Sequence, residues 1–454
     1  MKPDLFHEFD PVSSKQWKQK IQADLKGADY NETLLWKTNE GITVKPFYHA
    51  DDSDTLPLNS AKKEFHNCQQ VFVDDASIAD NLAKDALARG ADSILFEADK
   101  PFNIDKLNSA LAVPSLAEIH FKLNFLSEEF LSELIKKTAG EKVFLNIDPL
   151  GNLACSGNWY HDKITDHQIL ETMLNSADES VSVLSVGASG YQNAGANSIQ
   201  QIAYALAHAN EYLNFIEDKK IPVGTINFQF SVGGNYFFEI AKLQAFRYLW
   251  DLLKVEYRMG AEAHLFVQPS LRNKTLYDFN VNMLRTTTEC MSAILGGADT
   301  ISNTSYDTLF HKKNEFGERI ARNQLLIIAE ESYFKEAVDA ASGSYYIETL
   351  AKQMADKALE LFKDIERSGG FLKQLTEGTI QRKIEESANK EQMQFDAGEF
   401  VLVGTNKYPN PADKMKAELE LYPFIKTKPR KTIIEPIIAR RLAEKMEQER
   451  LENE

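Results

Sequence analysis

Cysteine is the scarcest feature of this chain that carries chemistry: Cys68, Cys155 and Cys290 are spread over 454 residues. No two of them form a CxxC pair, which excludes a disulfide scaffold and a cysteine-rich zinc site and fits a reduced, cytoplasmic setting. Long apolar runs are missing too, and the first twenty residues lack the apolar core of a secretion signal. Positive charge is in deficit, with 51 Lys and Arg against 67 Asp and Glu and a net charge of −16. That excludes general attraction to nucleic acid or to an anionic membrane, and leaves room for a local basic pocket. The nine histidines form no HExxH and no His/Cys cluster along the sequence, so no metal site is expected. The phosphate-binding GxxxxGK[ST] loop, the GxSxG nucleophile elbow and the dinucleotide glycine fingerprint are likewise absent.

What remains is a globular composition, 43% hydrophobic and 26% charged. The stretch from Leu284 to Asp307 shows the organising unit. Leu284, Met291, Ile294 and Leu295 suit one face of a helix, Gly296 and Gly297 end it, and Thr300 and Ile301 start a strand. The small polar residues Asn303, Thr304 and Ser305 follow, where an α/β fold keeps its functional loops. The same rhythm precedes it. Strands are expected at 71–73, 93–96, 118–123, 143–147, 181–186, 226–230 and 264–267, separated by helices at 78–87, 104–111, 127–137, 167–174, 198–215 and 236–253. Residues 149–165 and 189–196 read as loops. Eight strands separated by helical segments predict a closed (β/α)8 barrel, with an open doubly wound sheet as the alternative.

The expected organisation is an N-terminal arm over 1–50, the barrel over 51–310, helices over 311–408 and a C-terminal extension over 409–454. The helices are expected at 319–331, 347–362 and 379–391, with a strand-like run at 400–404. Five prolines break up 409–436. The last fifteen residues read as a polar helix, either solvated or packed on a partner. In the arm, Trp17, Ile21 and Leu25 share one helical face and, with Trp36, mark a docking surface for the barrel or for another subunit.

Candidate chemistry is thin. Asp74, Asp75 and Asp148 stand at strand ends, where barrel catalysts sit, but Asp is also the ordinary turn residue there. His161 and His167 are close in sequence without a ligand pattern. Gly233 and Gly234 precede a helix and suit an anion, although no basic partner is evident.

Several segments, taken in order, resemble the methylmalonyl-CoA mutase family. They are Trp17–Gly27 and Leu34–Tyr48 in the arm, then Ser189–Ala196, Gly233–Lys242, Arg247–Trp250, Arg285–Cys290 and Gly296–Thr300 in the barrel. Glu318–Gln324 and Gly343–Glu348 follow. The resemblance implies a barrel enclosing an acyl-CoA thioester and a flavodoxin-like domain bearing adenosylcobalamin. Together they interconvert (R)-methylmalonyl-CoA and succinyl-CoA by a radical rearrangement.

This sequence departs from that pattern where the chemistry lies. The cobalt-ligating D-x-H-x-x-G motif is absent, so no cobalamin-binding domain and no cofactor are expected on this chain. The family's Tyr-His pair before the Gln-x-Ala-Gly-Ala loop falls on Ser189 and Gly190, and neither replaces an imidazole donor. A CoA-contacting Arg on the sixth strand falls on Thr225. The family's Arg-Gly-Pro-Tyr segment has no counterpart in 47–67. Gln268 does match a glutamine of the catalytic barrel. The resemblance therefore implies a non-catalytic small (β) subunit in a heterodimer. A homologous large (α) subunit would hold adenosylcobalamin and substrate, and Trp17, Ile21, Leu25 and Trp36 would face it. Phe228 and Phe230 are expected to fill the unused bore. Two alternatives stand beside this: an active substrate chain served by a separate cobalamin-binding polypeptide, and an assembly or protection factor for a mutase.

Overall fold

A computed structural model describes residues 8–52, 56, 64–337, 339–425 and 429–454. Part of the 47–67 stretch, and the first seven residues of the arm, lie outside the described residues. Eight parallel strands form a closed barrel: β1 His66–Phe72, β2 Ser93–Ala98, β3 Glu118–Leu123, β4 Val143–Ile147, β5 Val181–Val186, β6 Thr225–Val232, β7 Glu262–Pro269 and β8 Thr300–Ile301. The strands pair in sequence order. The two-residue β8 closes the ring, with Thr300 set against both His66 of β1 and Phe266 of β7.

The periods explain the fit. In β2 to β5, alternate residues meet the helices and form one continuous apolar cluster, for example Ile94, Phe96, Ile119, Phe121, Val143, Leu145, Val181 and Val183. The other set faces the bore. β3, β4 and β5 have the predicted bounds. β1 begins five residues before the predicted start. In its first half Cys68 faces the bore while Gln69 turns outward and accepts from Arg322, so no apolar run marks where the strand starts.

Three predicted features change. Residues 149–165 are not one loop, since a helix runs over Pro149–Ser156. Asp148 caps it by accepting from Gly151 N at 2.8 Å, and Pro149 opens it with a φ already suited to helix. Ser189–Asn193 is likewise a short helix. The run at 400–404 makes only an isolated bridge, Val403 to Lys407, because Asn406 Oδ1 accepts from Leu402 N in place of a strand partner. In the helix Val281–Leu295, Leu284 is 68% exposed. Ile294 is buried as expected, and Thr286, Glu289, Cys290 and Ala293 share the buried face with it. Gly297, at φ 84°, ends that helix as expected.

Long helices, Ser198–Lys219, Tyr236–Glu256 and Tyr345–Arg367, pack side by side outside β5 to β7. Phe228 and Phe230 point toward this layer. Phe228 meets Phe246 and Trp250 at 4.7 and 4.8 Å, and Phe230 meets Phe246 at 4.8 Å. They contribute about 1.5–3 kcal/mol each as helix-side core and do not fill the bore.

The two ends of the chain differ. The arm's first helix, Ser14–Asp24, has a full capping box on Ser13 and no buried residue. The tail is not a solvated appendage. It runs across the C-terminal face of the barrel, with Ile433 and Ile434 donating to Gly157 O, Ile437 to Ala154 O, Arg440 to Asn193 O and Leu442 to Arg272 O. The approach is tight: a Cβ on Gly157, which sits at φ 80°, would lie 2.8 Å from Ile434 O.

Candidate functional site

Strand alternation builds the bore in layers. Glu118, His120 and Lys122 share one face of β3, and His264, Phe266 and Gln268 one face of β7. The middle of the bore is packed. The His120 ring stacks on Phe144 at 4.4 Å and meets Phe266 at 4.8 Å, while Phe144 meets His264 at 4.3 Å. Cys68, Leu95 and Phe266 complete the plug.

Above the plug, toward the C-terminal ends of the strands, a cavity of about 50 Å³ is lined by Leu95, Lys122, Asn146, Ser189, Gln229, Phe266 and Gln268. Its volume is enough for a few waters at most. Ser189 and Gln268 therefore line the same small cavity. Gly190 follows Ser189 in sequence but packs on Cys155, whose Sγ would be 2.9 Å from an added Cβ. Thr225 is elsewhere. It lines a wider mouth of about 550 Å³ with Lys142, Phe144 and Gly224 at the opposite end of the barrel, where β6 begins.

Two rings of the plug also belong to a group that sequence order does not disclose. Glu118, His120 and His264 are all buried, and their ligating atoms lie within 4.8 Å of one another. Glu118 Oε1 is 3.2 Å from His120 Nε2 and 3.4 Å from His264 Nε2, and Glu118 also accepts from Thr300 Oγ1. Burial works to raise the Glu118 carboxyl, but the two imidazoles beside it outweigh burial and hold it well below the usual range. Burial pushes His120 down to about 4. The period-two placement of Glu118 and His120 was the available signal. The contact with His264 needed the closed barrel.

The other candidates resolve into structural roles. Asp148 is sealed: His208 Nε2 lies at 2.9 Å, and Tyr212 Oη and the amides of Gly151 and Gly187 donate to it. Burial would raise its carboxyl, yet His208 and these donors hold it below the usual value. Asp75 caps the helix Ala76–Ala88, and Asp74 faces Lys100 at the surface. His161 and His167 bond to the backbone oxygens of Leu126 and Lys163. The Gly233 amide does bind an anion, but that anion is the chain's own Glu239 carboxylate, at 2.8 Å. Glu239 is paired in turn with the fully buried Lys242. Asn303 and Ser305 bond within the chain, to Ala321 O, Gln324 and Asp307, and pin the next helix.

Of the proposed docking residues, Trp17 is 49% and Trp36 51% exposed. Trp17 meets the edge of Phe47, and Trp36 leans on Phe238. Ile21 and Leu25 are half-buried.

This is a parallel (β/α)8 barrel with a packed bore, an N-terminal arm and a tail laid over the C-terminal face. Comparison with known proteins defines it further. The family profile for methylmalonyl-CoA mutase matches residues 140–452. The chain is 32% identical over 447 residues to the methylmalonyl-CoA mutase small subunit of Porphyromonas gingivalis, covering 90% of this chain and 72% of that one. It is 29% identical to a methylmalonyl-CoA mutase of Cereibacter sphaeroides and 28% identical to one of Rhizobium meliloti, spanning 86% and 87% of its own length but only 64% of each of theirs. The chain belongs to the methylmalonyl-CoA mutase family.

Proposed function

We propose that this chain is the non-catalytic small subunit of a heterodimeric, adenosylcobalamin-dependent methylmalonyl-CoA mutase. Its partner is a homologous large subunit, which holds the cofactor and interconverts (R)-methylmalonyl-CoA and succinyl-CoA. The observation that carries this reading is the plug. With Phe144, His120, His264 and Phe266 in mutual contact, the space left beside Ser189 and Gln268 is about 50 Å³. An acyl-CoA thioester threaded along the axis needs several hundred cubic ångströms, roughly 300–1,000 Å³ even for a drug-sized ligand.

The C-terminal face supports the same reading. Any corrin has to lie over the strand ends, and here the tail's backbone is bonded to the loops after β4, β5 and β7. The tail thus occupies ground that a corrin would need. The role left to the chain is to fold as a barrel and present a surface. Half-exposed Trp17 and Trp36 suit the centre of such an interface.

The test is mutase turnover with methylmalonyl-CoA and adenosylcobalamin, for this chain alone, for the large subunit alone and for the two mixed. Turnover only when the large subunit is present, with one cobalamin per heterodimer, is the expected result. Turnover by this chain with an isolated cobalamin-binding polypeptide would overturn it and favour an active substrate chain. A complex too short-lived to purify would favour an assembly factor.

A further inference from the structure

The rings of His120 and His264 belong to the plug, but their nitrogen atoms and the Glu118 carboxylate, which are turned toward one another, have no part in the function proposed above. We infer that this cluster is a binding site for a divalent transition-metal ion of the zinc class, with two imidazoles and one carboxylate as ligands. Among the described residues it is the one group of three or more His, Cys, Asp or Glu side chains with ligating atoms this close.

The geometry is the first argument. Ligand atoms about 2.1 Å from a tetrahedral zinc lie ~3.4 Å apart. Glu118 Oε1 stands 3.2 Å from His120 Nε2 and 3.4 Å from His264 Nε2. The second argument is where the protons are. Asn227 Nδ2 donates to Asn146 Oδ1 at 2.6 Å, which turns Asn227 Oδ1 onto His264 Nδ1 at 2.8 Å. His264 Nδ1 therefore carries the proton, and its Nε2 lone pair points into the cluster. There it meets Glu118 Oε1 and Thr300 Oγ1, whose single proton goes to Glu118. A lone pair facing a carboxylate calls for a cation between them, and a metal-ligating His normally donates its other N–H in this way. Thr300 Oγ1, 3.2 Å from His264 Nε2, stands next to the fourth position.

Lys142 Nζ bonds the other carboxylate oxygen, Oε2, at 2.9 Å, and His66 Nε2 lies 4.0 Å from the same atom. Oε1 is left to the imidazoles and Thr300. Access is from the N-terminal mouth, which is lined by Lys142 and by Phe144, whose ring touches both imidazoles. The competing arrangement is a second proton on His264 and no metal.

The experiment uses the full chain, stripped with a chelator and titrated with Zn²⁺ by calorimetry near neutral pH. The near-isosteric variants His120→Asn and His264→Asn follow in parallel, with folding checked by circular dichroism. One Zn²⁺ per chain is expected, with binding weakened about a hundredfold or more in either variant, since even outer-shell changes cost 10–100-fold. Uptake of Co²⁺ by the wild-type chain should give the intense visible bands of a four-coordinate site, a readout that does not depend on the variants folding. A folded wild-type chain that binds no stoichiometric Zn²⁺ at micromolar concentration overturns the inference. So does equal binding by a folded His120→Asn/His264→Asn double variant.

Discussion

The two ends of the chain invert what their hydropathy suggests. The arm helix Ser14–Asp24 carries Trp17 and Ile21 and buries no residue. The final helix, Glu444–Glu452, is among the most polar segments, yet Glu444 and Glu447 are buried. The tail is held by directed bonds. Glu447 accepts from Leu276 N at 2.6 Å and from Arg441, while Glu444 accepts from Ile425 N at 2.6 Å. Arg441 also donates to the backbone oxygens of Lys274 and Pro423. Apolar pattern measures the drive to leave water. It does not show whether the surface that covers an element belongs to the same chain. Charged residues stay inside when backbone donors and a counter-ion meet them.

The comparison is most easily broken at Arg441 and Glu447, where the largest effect is expected. The pair is almost fully buried. Removing one partner, as in Glu447→Ala, leaves a guanidinium buried without its counter-ion and orphans the Leu276 amide, at a cost of about 3–5 kcal/mol. Urea denaturation should show this as a lower midpoint, and the double variant Arg441→Met/Glu447→Leu should recover much of it. A loss under about 1 kcal/mol in Glu447→Ala would mean that the tail is a surface strap after all.

How much of this was legible beforehand depends on what the sequence records. The barrel was, because apolar runs of five or six residues alternate with helices, and β3, β4 and β5 fall where expected. The expectation that Ser189 and Gly190 stand at the family's donor positions likewise comes from sequence alone. The plug was not. Phe228 and Phe230 were the expected fillers, but one step of strand register sends them to the helix layer and leaves Asn227 and Gln229 for the bore. Glu118, His120 and His264 lie more than a hundred residues apart at their extremes, and only closure of the barrel brings them together. The helix Pro149–Ser156 was missed because Gly151 within it reads as loop, while its Asp-Pro start is as much a turn signal as a cap.

Acid sharpens the contrast on a smaller scale. Asp148 caps the helix whose last turn carries the tail at Ala154 and Gly157. Its folded pKa lies below the ordinary value near 4. Its contribution to stability is therefore complete above about pH 4–5 and is lost as pH falls through the depressed folded value. Hydrogen exchange should show the amides of 433–442 losing protection in acid before those of 36–44. In Asp148→Asn the acid limb of the stability curve should flatten, and tail protection should already be lower at neutral pH. Equal loss at both ends would detach the tail from this carboxylate.

The smallest effect on the isolated chain is expected at Trp17, and this is where the arm's role separates from the tail's. Half its surface is in water, and among the described residues its ring contact is edge-on, 6.2 Å from Phe47. Trp17→Ala should shift stability by no more than about 0.5 kcal/mol, as surface changes do. If the arm meets the large subunit, the same variant loses an anchor that becomes buried only in the complex, and association should weaken by about 2 kcal/mol, roughly thirtyfold. Calorimetry of the mixed subunits against thermal melts of the single chain reads both numbers. A stable chain with weakened association assigns the uncovered helix to the partner. A melt that drops by several degrees with association unchanged would return the helix to this chain's own fold, and the partner surface would then have to be sought elsewhere on the barrel.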